Sequence, residues 1–181
     1  RDSVASRGLG DVYKRQAYAA RGIDVDWVAK RYVEVINKIL ANKPADLTVT
    51  MHICRGNFRS TWFSSGGYEP VADILFSHCN VDGFFLEYDS DRSGSFEPLR
   101  FIKNQTVVLG LITSKFPELE DKDAVKARIE EATKYVPLNQ LCLSPQCGFS
   151  STEEGNIMTE DEQWAKVRLV CEIADEVWGD Q

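Results

Sequence analysis

The sequence predicts an α/β fold, the C-terminal half of a (β/α)8 TIM-type barrel with about four parallel strands and covering helices. Three observations carry this. Short, continuous apolar runs alternate with helical patterns, as in a parallel sheet buried on both faces. The polar, Gly- and Cys-bearing loops follow strands, where barrels place their chemistry. The chain has 181 residues, whereas a whole barrel takes about 250. A doubly wound sheet is the competing topology, but its Gly-rich phosphate-binding fingerprint is missing.

The elements follow in order. From Ile23 an amphipathic stripe of Val28, Val35, Ile36, Ile39 and Leu40 predicts a helix. Asp24 or Asp26 caps its start, and Asn42-Lys43-Pro44 stops it. The β-branched run 47–52 predicts the first strand, and 70–76 a short helix. Residues 81–87 (VDGFFLE) read as the second strand and 106–112 (TVVLGLI) as the third. A charged amphipathic helix over 123–135 sets Val125, Ile129 and Ala132 on one face. The fourth strand is read over 138–143. The last helix, 159–178, opens on a Thr159-x-x-Glu162 capping box. Its broad apolar face is read as Trp164, Val167, Leu169, Val170 and Ile173.

Residues 17–181 are assigned to the partial barrel domain. Residues 1–16 are read as a disordered or non-native leader and set outside it. A charged fraction of 27% against 43% hydrophobic is ordinary for a globular chain and excludes wholesale disorder. The net charge of −7 speaks against a general nucleic-acid binder. No apolar run is long enough for a membrane span, and no leader marks secretion, so a cytoplasmic location is expected. Five cysteines without a secretory signal favour reduced thiols or a metal site over a disulfide framework.

Four residues converge on that metal site. His52 and Cys54 alternate at the end of the first strand and so project together. Glu87 ends the second strand, 33 residues after Cys54, and Cys147 follows the fourth, 60 residues after Glu87. One imidazole, two thiols and one carboxylate form a tetrahedral N/S/O set that suits Zn2+. Each member also has a plainer reading. A Cys near a strand end is usually a small buried hydrophobe, and Glu87 could pair with Arg92. His78-Cys79 reads as a decoy whose side chains point apart. Cys142 and Cys171 read as core.

HICRGN (52–57), FFLEYD (84–89) and CLSPQCGF (142–149), in that order, resemble the C-terminal catalytic, zinc-binding domain of cobalamin-independent methionine synthase, closest to its single-domain relatives. The resemblance implies methyl transfer from 5-methyltetrahydrofolate to the homocysteine thiol, giving methionine. It implies zinc ligands at His52, Cys54, Glu87 and Cys147. Zinc-dependent alkyl transfer to another thiol, of the epoxide-opening type, and an inactive zinc-binding fragment are the alternatives. The segment before Cys147, often Asn-Pro-Asp in the family, is Ser144-Pro145-Gln146 here. Thr113 stands where the long enzymes carry a proton-donating His, so no proton donor is assigned. The homocysteine amino-group ligands and most of the folate surface lie in the family's upstream half. The missing half of the barrel is therefore an implied partner, with no nucleic acid and no membrane.

Overall fold

The computed structural model describes residues 18–150 and 152–179. The expected leader, 1–16, lies outside the described residues. Four parallel strands form one sheet in sequence order: β1 Thr50–Ile53, β2 Gly83–Glu87, β3 Thr106–Ile112 and β4 Leu141–Pro145. The helices are α1 Val25–Leu40, α2 Glu69–Phe76, α3 Lys122–Ala132 and α4 Glu160–Trp178.

Local chemistry sets the helix ends. The Asp24 carboxylate accepts from the N–H groups of Asp26 and Trp27 and so caps α1. Thr159 and Glu162 form the reciprocal capping box of α4. Asp121 caps α3 through the Ala124 N–H. β1 is shorter than expected and begins at Thr50. The Val49 N–H is taken by the Asp82 carboxylate, which fixes the entry to β1 against the entry to β2.

The sheet has two unlike faces. Phe84, Leu86, Val107, Leu109 and Leu141 point to one side and are almost fully buried in a core that includes Phe76, Ile129, Leu169 and Ile173. The register row His52–Phe85–Val108–Cys142 points to the other, which corresponds to a barrel interior. Here burial falls off toward both outer strands, with His52 and Cys142 exposed.

Three expectations are corrected. The stripe of α1 that enters the core is Val25, Ala29 and Val33, with Ile36 and Leu40 at its edge. Val35 and Ile39 are 47% and 71% exposed. The apolar positions of α1 cover more than one face, and the contact with α2 takes only one of them. Trp164 lies outside the core face of α4, its indole N–H donating to Glu160, while the buried positions are Lys166, Leu169 and Ile173. Cys142 and Cys171 are exposed rather than core. Cys142 sits on the uncovered sheet face, and Cys171 is turned away from the Leu169–Ile173 stripe.

Candidate metal centre

Each ligand candidate sits at a strand end. His52 belongs to β1 and Cys54 follows it, Glu87 is the last residue of β2, and Cys147 lies just beyond β4. Parallel pairing in register brings these ends to one rim. One donor atom from each of the four lies within 4.8 Å of all the others. Cys54 Sγ is 3.7 Å from Cys147 Sγ, and Cys147 Sγ is 3.6 Å from His52 Nε2. His52 Nε2 is 3.8 Å from Glu87 Oε1.

These separations test whether the residues fit zinc. Tetrahedral Zn–S bonds of about 2.3 Å put two sulfurs about 3.8 Å apart, and a Zn–N bond of about 2.0–2.1 Å puts sulfur and nitrogen about 3.5 Å apart. The sulfur–sulfur and sulfur–nitrogen edges match, and the His52–Glu87 edge of 3.8 Å is longer than the about 3.4 Å that Zn–N and Zn–O bonds give. The donor set, two thiols with one imidazole and one carboxylate, is the soft N/S/O mixture that zinc takes. The residues therefore fit the ion.

Glu87 is wholly buried and held on every side. Its Oε1 accepts from Gln146 Nε2 at 2.8 Å, and its Oε2 accepts from the Arg55 N–H at 3.0 Å. The Arg55 and Arg92 guanidiniums stand 3.8 and 3.7 Å from Oε2. Arg92 Nη1 is buried and has no hydrogen bond, so it faces that oxygen unsatisfied. Arg55 lies 4.2 Å over the Tyr68 ring and donates to the Tyr68 hydroxyl and the Glu87 carbonyl. Burial, with the Glu87 charge adding, pushes the Tyr68 hydroxyl up to about 12, so it stays protonated.

The two thiols differ. Their mutual hydrogen bond pushes Cys54 up and brings Cys147 down to about 7. The Lys115 charge adds to the lowering of Cys147. Burial pulls His52 down, and the hydrogen bond and charge of Cys54, with Glu87, more than offset it. The Gly56 N–H donates to Cys54 Sγ at 3.2 Å, the kind of outer contact that orients a metal-binding thiolate.

Other expectations resolve around this cluster. His78 and Cys79 point apart as anticipated: His78 is exposed and bonds the Asp73 carbonyl through Nδ1, while Cys79 is buried in the core. Arg92 does face Glu87, and it binds Asp89 as well. Thr113 is engaged locally: its N–H donates to Glu120 and its hydroxyl accepts from the Lys115 N–H. Three neighbours were not anticipated. Gln146 is buried between Glu87 and the Ser114 hydroxyl. Arg55 lies beneath Glu87. Lys115, 1% exposed, enters from the loop after β3. Nothing in the sequence marks them beyond their place at strand ends.

A parallel α/β sheet with a thiol-rich group of side chains on its C-terminal rim is the architecture of a barrel-type domain with a candidate metal centre. Residues 19–175 match the catalytic domain of the cobalamin-independent synthases, and the chain belongs to that family, the cobalamin-independent methionine synthases. It is 57% identical over 166 residues to the uncharacterized protein YxjH of Bacillus subtilis, and 60% identical over 161 residues to YxjG of the same organism. Those matches cover 91% and 88% of this chain but 44% and 43% of the relatives, so the chain spans less than half their length. A putative vitamin-B12-independent methionine synthase from Listeria monocytogenes superposes with a TM-score of 0.64 at 42% identity, over 87% of this chain and 43% of that one. A B12-independent methionine synthase from Shewanella sp. W3-18-1, solved with selenomethionine, gives 0.63 at 19% identity, over 84% and 47%, a likeness of fold.

Proposed function

We propose that this chain is the metal-binding half of a zinc-dependent methyltransferase that transfers the methyl group of a methylated folate to the homocysteine thiol. The observation that carries this reading is the His52–Cys54–Glu87–Cys147 cluster, whose donor separations suit one tetrahedral ion. Zinc bound there would supply the charge that deprotonates a thiol at neutral pH. The protein's own part is positioning. Gln146 and the Arg55 N–H fix both oxygens of Glu87, and the Gly56 N–H orients the Cys54 sulfur. Ser144, Pro145, Gly148 and Phe85 join His52 and Cys147 around a cavity of about 300 Å³ beside the cluster, a place for the thiol substrate's side chain. The folate and the amino-acid end of homocysteine are assigned to the half of the relatives that this chain does not span.

The test is metal content followed by chemistry. The purified chain should hold about one zinc, and Cys54→Ser or Cys147→Ser should remove most of it. His78→Ala and Cys171→Ser should leave it unchanged. Full zinc in Cys147→Ser rejects the ligand assignment. A chain extended to the length of the Bacillus relatives should then methylate homocysteine, and extended protein with full zinc but no thiol methylation from any folate rejects the reaction.

A further inference from the structure

Lys115 is a buried lysine whose role neither the fold nor the donor set explains. It follows β3 and contributes no ligand. Its ammonium donates to the Gly56 carbonyl at 3.2 Å and to Asn57 Oδ1 at 2.5 Å. Both acceptors lie in the loop after β1, 58 and 59 residues away in sequence. From that loop two further contacts run to the sulfurs. The Gly56 N–H donates to Cys54 Sγ, so one residue, Gly56, links the ammonium to the first thiol. Asn57 Nδ2 donates to the Gly148 carbonyl at 2.5 Å, next to the second thiol, Cys147.

The backbone is shaped around this path. Gly56 has φ +105°, and a Cβ there would lie 2.7 Å from the Phe63 nitrogen, so only glycine presents its carbonyl to Lys115 and its N–H to Cys54 at once. Burying an ammonium is costly without partners, and both partners here are oxygens of one loop.

We propose that Lys115 is a positioning residue, a strut that ties the loop after β1 to the loop after β4 through Gly56 and Asn57 and so holds Cys54 and Cys147 at the separation one metal ion needs. This rests on the zinc reading given above. It adds a named residue outside the ligand set and a route by which the third strand's loop governs a site to which it supplies no donor.

The test uses the 181-residue chain, with zinc affinity read by competition with a chromophoric chelator and the cobalt(II)-substituted protein read by its thiolate-to-metal absorption. Lys115→Met should weaken zinc binding about 10-fold or more, in the range typical of residues that support metal ligands. The cobalt absorption per bound ion should also weaken, a change that lost stability alone does not produce. Asn57→Ala, which cuts the link to Gly148, should act in the same direction. The double variant should lose less than the two single losses combined, because both cut one path. Should Lys115→Met fail to fold, Asn57→Ala gives the decision by the same readouts. Unchanged affinity and an unchanged cobalt spectrum in the folded variant overturn the strut while leaving the zinc site standing. Wild-type chain that takes up neither metal removes the zinc reading itself, and the strut with it.

Discussion

Glu87 shows how much one side chain can carry here. It brings an oxygen to the group it forms with His52, Cys54 and Cys147, and it is also the buried counter-charge of Arg55 and Arg92. Glu87→Gln preserves its shape and removes that charge. Stripping one partner from a buried ion pair costs on the order of 3 kcal/mol, because the remaining charge is left uncompensated. Glu87→Gln is therefore expected to lower the thermal midpoint of the metal-free chain markedly, as read by circular dichroism. Cys54→Ser, which removes no charge from the arginine pair, should lower it far less. Equal midpoints for Glu87→Gln and wild type would show that the guanidiniums do not depend on this carboxylate. From sequence alone Glu87 was legible as a strand-end carboxylate with Arg92 in reach. Its second cation, Arg55, was hidden, because only the turn after β1 folds that side chain back under β2.

At the scale of elements, polar bolts join helices and strand ends. Lys166 is a fully buried lysine on the core face of α4, and its ammonium binds both oxygens of Glu120 at 2.9 and 3.0 Å. Glu120 also accepts from the Thr113 N–H at the end of β3, so one carboxylate fastens the last helix to the third strand. Glu120→Gln leaves the Lys166 ammonium buried without its counter-ion. The expected loss is roughly 3 kcal/mol, measured by urea unfolding, with an unchanged midpoint as the contrary result. Asp82 performs a similar task at the opposite end of the sheet. Its carboxylate accepts from the Val49 N–H at 2.6 Å and pairs with Lys43 at 3.2 Å, and its own N–H returns a bond to the Val49 carbonyl. The Val49 N–H, aided by Lys43, holds the Asp82 carboxyl below its usual value. A carboxyl lowered in the folded state stabilises it above the unfolded pKa of about 3.9, and that contribution fades as pH falls through the lower folded value. Asp82→Asn should thus melt below wild type at pH 7, and the two melting curves should converge below about pH 4. A gap that persists at low pH would remove the carboxylate's charge from the account.

On the scale of the whole molecule, the two sheet faces set the behaviour in solution. Helices cover one of them. The other carries half-buried Phe85 and buried Val108 between exposed His52 and Cys142, and the outer edges of β1 and β4 have no strand partner among the described residues. Phe58, Phe63 and Phe116 add exposed aromatic surface on the loops after β1 and β3. Open edges and uncovered apolar surface drive association. The 181-residue chain is expected to self-associate with rising concentration in sedimentation velocity. Co-expression with the remaining segment of a full-length relative should give a discrete complex. A chain that stays monomeric at ~100 μM would mean that its inner face needs no cover.

The order of strands and helices, the capping box of α4 and the placing of the four ligand candidates at strand ends were readable from the residues alone. Each of those rests on short-range pattern: β-branched runs, a cap residue three positions from its partner, and alternation that turns His52 and Cys54 the same way. What needed the tertiary structure was which of several apolar faces is buried and which charges lie under the site. In α1, Val35 and Ile39 are as apolar as the buried Val33, and only the docking of the helix against α2 tells them apart. Cys142 lies in an apolar strand and is still exposed, because its face of the sheet has no layer over it. Lys115 and Lys166 carry the signature of surface residues in any one-dimensional reading. Their burial is set by acceptors 58 and 46 residues away in sequence, and a hydrogen bond across that distance leaves no trace in local periodicity.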